Sequence, residues 1–169
     1  MPFYRRKLPH LQRDFKRHFV TFCTYQRCIL PEWARTTVLR SCLHDNDVMH
    51  FLHVALVMPN HVHVIFTPLI NNQKREFYSL AQIMDRIKGA SGQLINQRLN
   101  RLGRVWQSES FDHVLRSSES LDAKIAYILE NPLRAGLVSE WKQYPWIWVR
   151  REQEASDCAQ PLALLRGTA

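Results

Sequence analysis

Met58-Pro59-Asn60-His61-Val62-His63-Val64-Ile65-Phe66-Thr67 reads as a turn followed by a strand. Pro59-Asn60 is turn chemistry. After it, side chains alternate: His61 and His63 share one face, and Val62, Val64 and Phe66 share the other. Two imidazoles therefore stand side by side above a sheet whose far face is apolar. That geometry suits one divalent metal. The same residues also fit partly exposed polar positions on an amphipathic strand.

Working outward, Met49 to Met58 reads as the strand before the turn. A tight hairpin at Pro59-Asn60 pairs Leu56 with His63. That register turns His53 toward the opposite, helix-covered face as a core histidine. Upstream, His18 to Tyr25 is rich in β-branched and aromatic residues and reads as a strand. Pro31 opens a helix from Glu32 to near His44. Downstream, residues 68–78 read as a loop. Leu80, Ile83, Met84, Ile87, Ala90, Ser91, Leu94, Ile95 and Leu99 recur at helical spacing, with Gly89 and Gly92 as weak points. Val105-Trp106 and Phe111 to Arg116 suggest a fourth strand. The order β-α-β-β-α-β predicts an α+β, ferredoxin-like antiparallel sheet with both helices on one face. The histidine strand is central in that plan, and its histidines look outward.

One helix is left over, predicted from about Glu119 to Asn131, with Ser117 and Ser118 as cap candidates and Pro132 as its stop. Leu121, Ile125, Ile128 and Leu129 form its apolar stripe. At about 100° per residue, Tyr127 lies roughly 150° from the middle of that stripe. Asn131, one turn on, shares its face, and Lys124 flanks it. A tyrosine turned away from its own helix's core needs another reason to be there.

The 169-residue chain carries formal charge +8 and pI near 9.7. A polyanion is the expected partner, nucleic acid before an acidic membrane. No apolar run is long enough to span a bilayer, and Met1 to Lys7 lacks the apolar core of a secretory signal. Cys23, Cys28, Cys42 and Cys158 have no C-x-x-C spacing and read as buried reduced thiols. Residues 1–17 form a basic arm in which Arg5, Arg6 and Lys7 are the expected phosphate contacts. Residues 18–149 form the folded domain, and 150–169 a tail. Trp106, Trp141, Trp146 and Trp148 could stack on bases, but burial is the commoner fate.

A metal pair, an off-core tyrosine and a basic surface together suggest phosphodiester chemistry. A metal-polarised phosphate could be attacked by the phenol, which is a poor nucleophile unaided. A binding module without catalysis, and a water-using metal phosphoesterase, remain open on these residues alone.

Met58-Pro59-Asn60-His61-Val62-His63 resembles the His-hydrophobic-His signature of the IS200/IS605-type single-stranded DNA transposases. Tyr127-Ile128-Leu129-Glu130-Asn131-Pro132, followed by Arg134-Ala135-Gly136-Leu137-Val138, is similar to the catalytic helix of their REP-associated tyrosine transposase branch. Val105-Trp106-Gln107, Asp112-His113-Val114-Leu115-Arg116 and Tyr144-Pro145-Trp146 also match. The resemblance spans about residues 17–149. It implies Tyr127 as nucleophile and His61, His63 and Asn131 as metal ligands. Asparagine at that position favours the REP-associated branch and suits Mg²⁺ or Mn²⁺. It further implies cleavage of single-stranded DNA at the foot of a hairpin, a 5′-phosphotyrosine, a free 3′-OH and a monomer more than a dimer, in the cytoplasm with the nucleoid. His113 and Arg116 fit a DNA-contact or a structural role equally, and Lys124 is a further DNA-contact candidate.

Overall fold

The computed structural model describes residues 16–116 and 118–150. The strands are β1 (His18–Thr24), β2 (His50–Val57), β3 (His61–Pro68), β4 (Ile70–Asn71), β5 (Glu76–Phe77), β6 (Trp106–Val114) and β7 (Ile147–Val149). The helices are α1 (Glu32–His44), α2 (Leu80–Arg98), α3 (Leu121–Leu129) and the single turn α4 (Asn131–Arg134). The main sheet has five strands in the order β6-β1-β3-β2-β7, with β3 in the centre. All its pairings are antiparallel. The first four strands in space follow the ferredoxin-like plan; β7 adds a fifth at the β2 edge. The aromatic stretch near the C-terminus thus becomes a strand that the alternation pattern does not announce.

Strand parity explains the layering. Val20, Phe22, Leu52, Ala55, Val57, Val62, Val64 and Phe66 form one apolar face. Ala34, Val38 and Cys42 of α1, with Ile83, Met84, Ile87 and Ile95 of α2, cover it. Each fully buried Phe or Leu there contributes roughly 1.5–3 kcal/mol of transfer free energy. Ser79 opens α2 with a capping box, its hydroxyl accepting from Gln82 N–H while the Gln82 side chain accepts from Ser79 N–H. Trp106 closes this core by donating from Nε1 to the buried Ser91 hydroxyl at 3.1 Å.

The other face carries Phe19, Val54, Leu56, Met58, Ile65 and Leu115. Ile128 packs into this cluster, with Leu121 and Ile125 of α3 against it. The leftover helix therefore lies on the face that the first two helices leave open. It is capped by Ser120, whose hydroxyl accepts from Ala123 N–H at 3.2 Å, and not by Ser118. Pro132 does more than stop α3, since it stands in the first turn of α4, where a missing N–H leaves no bond unmade.

Three further expectations are corrected. Residues 68–78 hold the short β4–β5 hairpin. Leu56 does pair with His63, but a bulge between Leu52 and Val54 adds one residue to β2 and reverses the parity beyond it. His53 consequently faces away from α1 and α2, with Nε2 2.9 Å from the Thr67 hydroxyl. Of the cysteines, Cys42 is buried, its thiol pushed up to about 12 by burial, whereas Cys23 is half-buried and Cys28 exposed. Arg5, Arg6 and Lys7, and residues 151–169 of the tail, lie outside the described residues.

Candidate active site on the open face of the sheet

His61 and His63 stand on the same face of β3, their ring centroids 4.8 Å apart and the rings nearly perpendicular. Each Nδ1 has a partner. His61 Nδ1 is 2.7 Å from Asn60 Oδ1, and an amide oxygen only accepts, so the proton sits on Nδ1. His63 Nδ1 is 2.8 Å from the hydroxyl of Thr21, its cross-strand partner on β1. The same tautomer lets His63 Nδ1–H donate to that oxygen. Both Nε2 lone pairs are then left for a ligand, the arrangement by which outer partners orient metal-binding histidines. His63 is only 8% exposed. Burial, and then the neighbouring His61, hold its pKa down at about 4. Burial and then Arg27 lower that of His61. Both rings are therefore neutral at physiological pH, the state a metal requires.

Arg27 reaches this neighbourhood through an unusual backbone. Gln26 and Arg27, at the end of β1, both have left-handed φ, 52° and 57°. For non-glycine residues that costs of order 1–3 kcal/mol each, a kind of strain that clusters at functional sites.

Tyr127 is 46% exposed although Ile128 beside it is fully buried. The guanidinium of Arg134 stacks on the Tyr127 ring at 4.6 Å, donates to the Tyr127 carbonyl at 3.2 Å and pairs with Glu130 at 3.1 Å. Asn131 Nδ2 donates to the carbonyls of Tyr127 and Ile128 at 3.0 and 3.1 Å, which closes the C-terminus of α3. Its Oδ1 accepts no hydrogen bond among the described residues, which leaves the amide oxygen available. Neutral imidazole nitrogens and an amide oxygen are each ligand types that a divalent metal accepts. Among the described residues no group of three or more His, Cys, Asp or Glu side chains is placed to hold a metal ion.

The other candidates gather around Glu119. His113 Nε2 lies 2.9 Å and Lys124 Nζ 3.6 Å from its carboxylate, and the Arg116 backbone N–H donates to it at 2.8 Å. The Arg116 bond first, then His113, lowers the Glu119 pKa to about 2. His113 and Lys124 thus have a partner within the chain, while Arg116 is exposed. Of the tryptophans, Trp106 is buried and Trp141, Trp146 and Trp148 are half-buried. Sequence reasoning passes over Thr21, Asn60, Arg27 and Arg134. Asn60 and Arg134 sit inside the quoted motifs, but the role of Thr21 depends on the β1–β3 register, which only the folded sheet supplies.

The topology is that of a transposase domain. The model of the family described as "Transposase IS200 like" matches residues 12–131, and the chain belongs to that family. Among solved structures, the chain is similar to a REP-associated tyrosine transposase bound to a REP hairpin. That match has TM-score 0.64 and 18% identity, and covers 95% of this chain and 89% of the other. At that identity the shared property is the fold. A transposase-like protein from Deinococcus radiodurans R1 aligns at TM-score 0.43 and 20% identity over 78% of this chain and 97% of the other, too loosely to argue from. No curated protein matches the sequence. No helix among the described residues is long and apolar enough to cross a membrane.

Proposed function

We propose that this chain is a metal-dependent single-stranded DNA endonuclease and strand transferase that acts at the foot of hairpins. The observation that carries the reading is the placement of Tyr127. It stands exposed on a helix packed against the sheet face that bears the His61–His63 pair, in a chain of the IS200-like family.

In this reading His61 Nε2, His63 Nε2 and Asn131 Oδ1 hold the ion. When bound there, Mg²⁺ or Mn²⁺ polarises the phosphodiester and offsets charge on the leaving oxygen. Thr21 and Asn60 keep the imidazoles in the ligating tautomer. The Tyr127 hydroxyl attacks phosphorus and yields its proton to solvent. The P–O3′ bond breaks, and a proton on the departing oxygen gives a free 3′-OH. The downstream fragment stays attached through its 5′-phosphate as a phosphotyrosine, which preserves the bond for rejoining without ATP. Arg134, stacked on the ring, holds the phenol in one orientation. Arg5, Arg6, Lys7, Lys124, His113 and Arg116 contact the DNA backbone. The protein works as a monomer in the cytoplasm, associated with the nucleoid.

The test is a denaturing gel of the purified chain with labelled hairpin DNA and Mn²⁺. A covalent protein–DNA species is expected from wild type and Tyr78→Phe, and none from Tyr127→Phe. Wild type giving no adduct on any cognate hairpin sinks the enzymatic reading. If hairpin binding then survives His61→Ala and chelator, the chain is a binding module.

A further inference from the structure

We propose that Phe111 is a stacking platform for one unpaired base of the DNA strand that enters the active site. The proposal rests on the reading above and deepens it. Phe111 is 61% exposed, an unusual fate for phenylalanine in a strand. It lies on β6 directly opposite Thr21, and Thr21 lies opposite His63. Phe111, Thr21 and His63 thus form one row across three adjacent strands, on one face.

Two strand spacings separate the exposed ring from the imidazole, about 10 Å. A DNA strand advances at least about 3.4 Å per nucleotide, so a base on Phe111 falls within about three nucleotides of a phosphate at the histidines.

The ring is also braced. Phe19 meets Phe111 edge-on at 6.4 Å and lies 5.8 Å from His63. Phe19, one side of this brace, is buried in the cluster beneath α3, whereas Phe111 stays outside that cluster. Leu121, Ile125 and Ile128 of α3 pack over that cluster and leave the Phe111 ring exposed. What remains is an anchored aromatic surface open to solvent beside the proposed phosphodiester site, on a chain of net charge +8. Those neighbours point to a nucleobase as the occupant. Stacking needs only a π-face, so the platform is tolerant of base identity.

The experiment uses the full chain carrying Tyr127→Phe, which keeps the DNA uncleaved. It is titrated with a blunt hairpin and with the same hairpin bearing a single-stranded tail, 2-aminopurine being placed at each tail position in turn. Quenching is expected at one tail position. Adding Phe111→Leu should abolish that quenching and weaken tailed-hairpin binding by about 5- to 150-fold, with blunt-hairpin binding unchanged. Adding Phe111→Trp should preserve both signals. Unchanged quenching and affinity in Phe111→Leu overturn the platform, as does equal weakening on both hairpins with a lowered melting temperature. Loss of quenching in Phe111→Trp also overturns it. If the parent chain binds neither hairpin, the broader functional reading falls, an outcome distinct from the failure of Phe111 alone.

Discussion

Replacing Thr21 by valine removes one oxygen and keeps the shape of the side chain. In the native sheet that oxygen lies 2.8 Å from His63 Nδ1, and the ring is 8% exposed. Without it, a buried Nδ1–H has no acceptor, which costs about 1–3 kcal/mol. The ring can escape by moving its proton to Nε2, but this occupies the lone pair that the proposed metal needs. Stability is then partly recovered while metal affinity is not. Loss of such an outer partner weakens metal binding 10- to 100-fold, or about 1.4–2.7 kcal/mol. The assay is calorimetric Mn²⁺ titration of Thr21→Val, alongside urea unfolding of the metal-free protein. Thr67→Val is the matched control: its hydroxyl contacts His53 on the same sheet face, outside the metal pair. It should cost stability and leave Mn²⁺ affinity within about twofold of wild type. If Thr21→Val binds Mn²⁺ as tightly as wild type, the tautomer argument is refuted.

Ile128→Ala should destabilise the fold by about 2–5 kcal/mol in urea, whereas Tyr127→Phe next to it should change stability by less than about 0.5 kcal/mol. Equal effects would mean that α3 is seated differently. Gly89→Ala places its Cβ in open space on the exposed side of α2 and should stabilise by about 0.5–1 kcal/mol, raising the melting temperature by a few degrees; no gain would contradict the helix geometry there. Burial, and then Arg17 and Arg150, lower the pKa of His53 from 6.5 to about 4. Between those pH values the unfolded chain binds the extra proton, so stability is full above 6.5 and falls as pH drops through this window. His53→Asn should make that fall shallower by about 3 kcal/mol, read as unfolding free energy at stepped pH; an unaltered slope would show that His53 is not desolvated.

The sheet and the histidine face were legible because period-two alternation through Val62, Val64 and Phe66 has one consistent solution over a buried face. Tyr127 was legible for the complementary reason: Leu121, Ile125 and Ile128 fix the buried stripe of α3, and the tyrosine lies off it. His53 was not legible, because a single inserted residue in β2 inverts parity without leaving a glycine or proline to mark it. β7 escaped because three half-buried residues among tryptophans carry too little alternation to read as a strand. The charge cluster at Glu119 depends on how the β6–α3 connection folds back, and no local periodicity encodes that.

The β2 edge has a consequence in time. Val57 O accepts from the Tyr144 hydroxyl at 2.9 Å, and Val57 N–H donates to Trp146 O at 2.9 Å, so residues some 87 positions downstream complete this strand. At roughly 5–20 residues per second, a ribosome needs about 4–17 s to supply them. For that interval the nascent sheet has its central strands in place and one flank ready to pair with any passing extended segment. Stalling within those codons would therefore favour entanglement of neighbouring nascent chains on a polysome over simple misfolding of one.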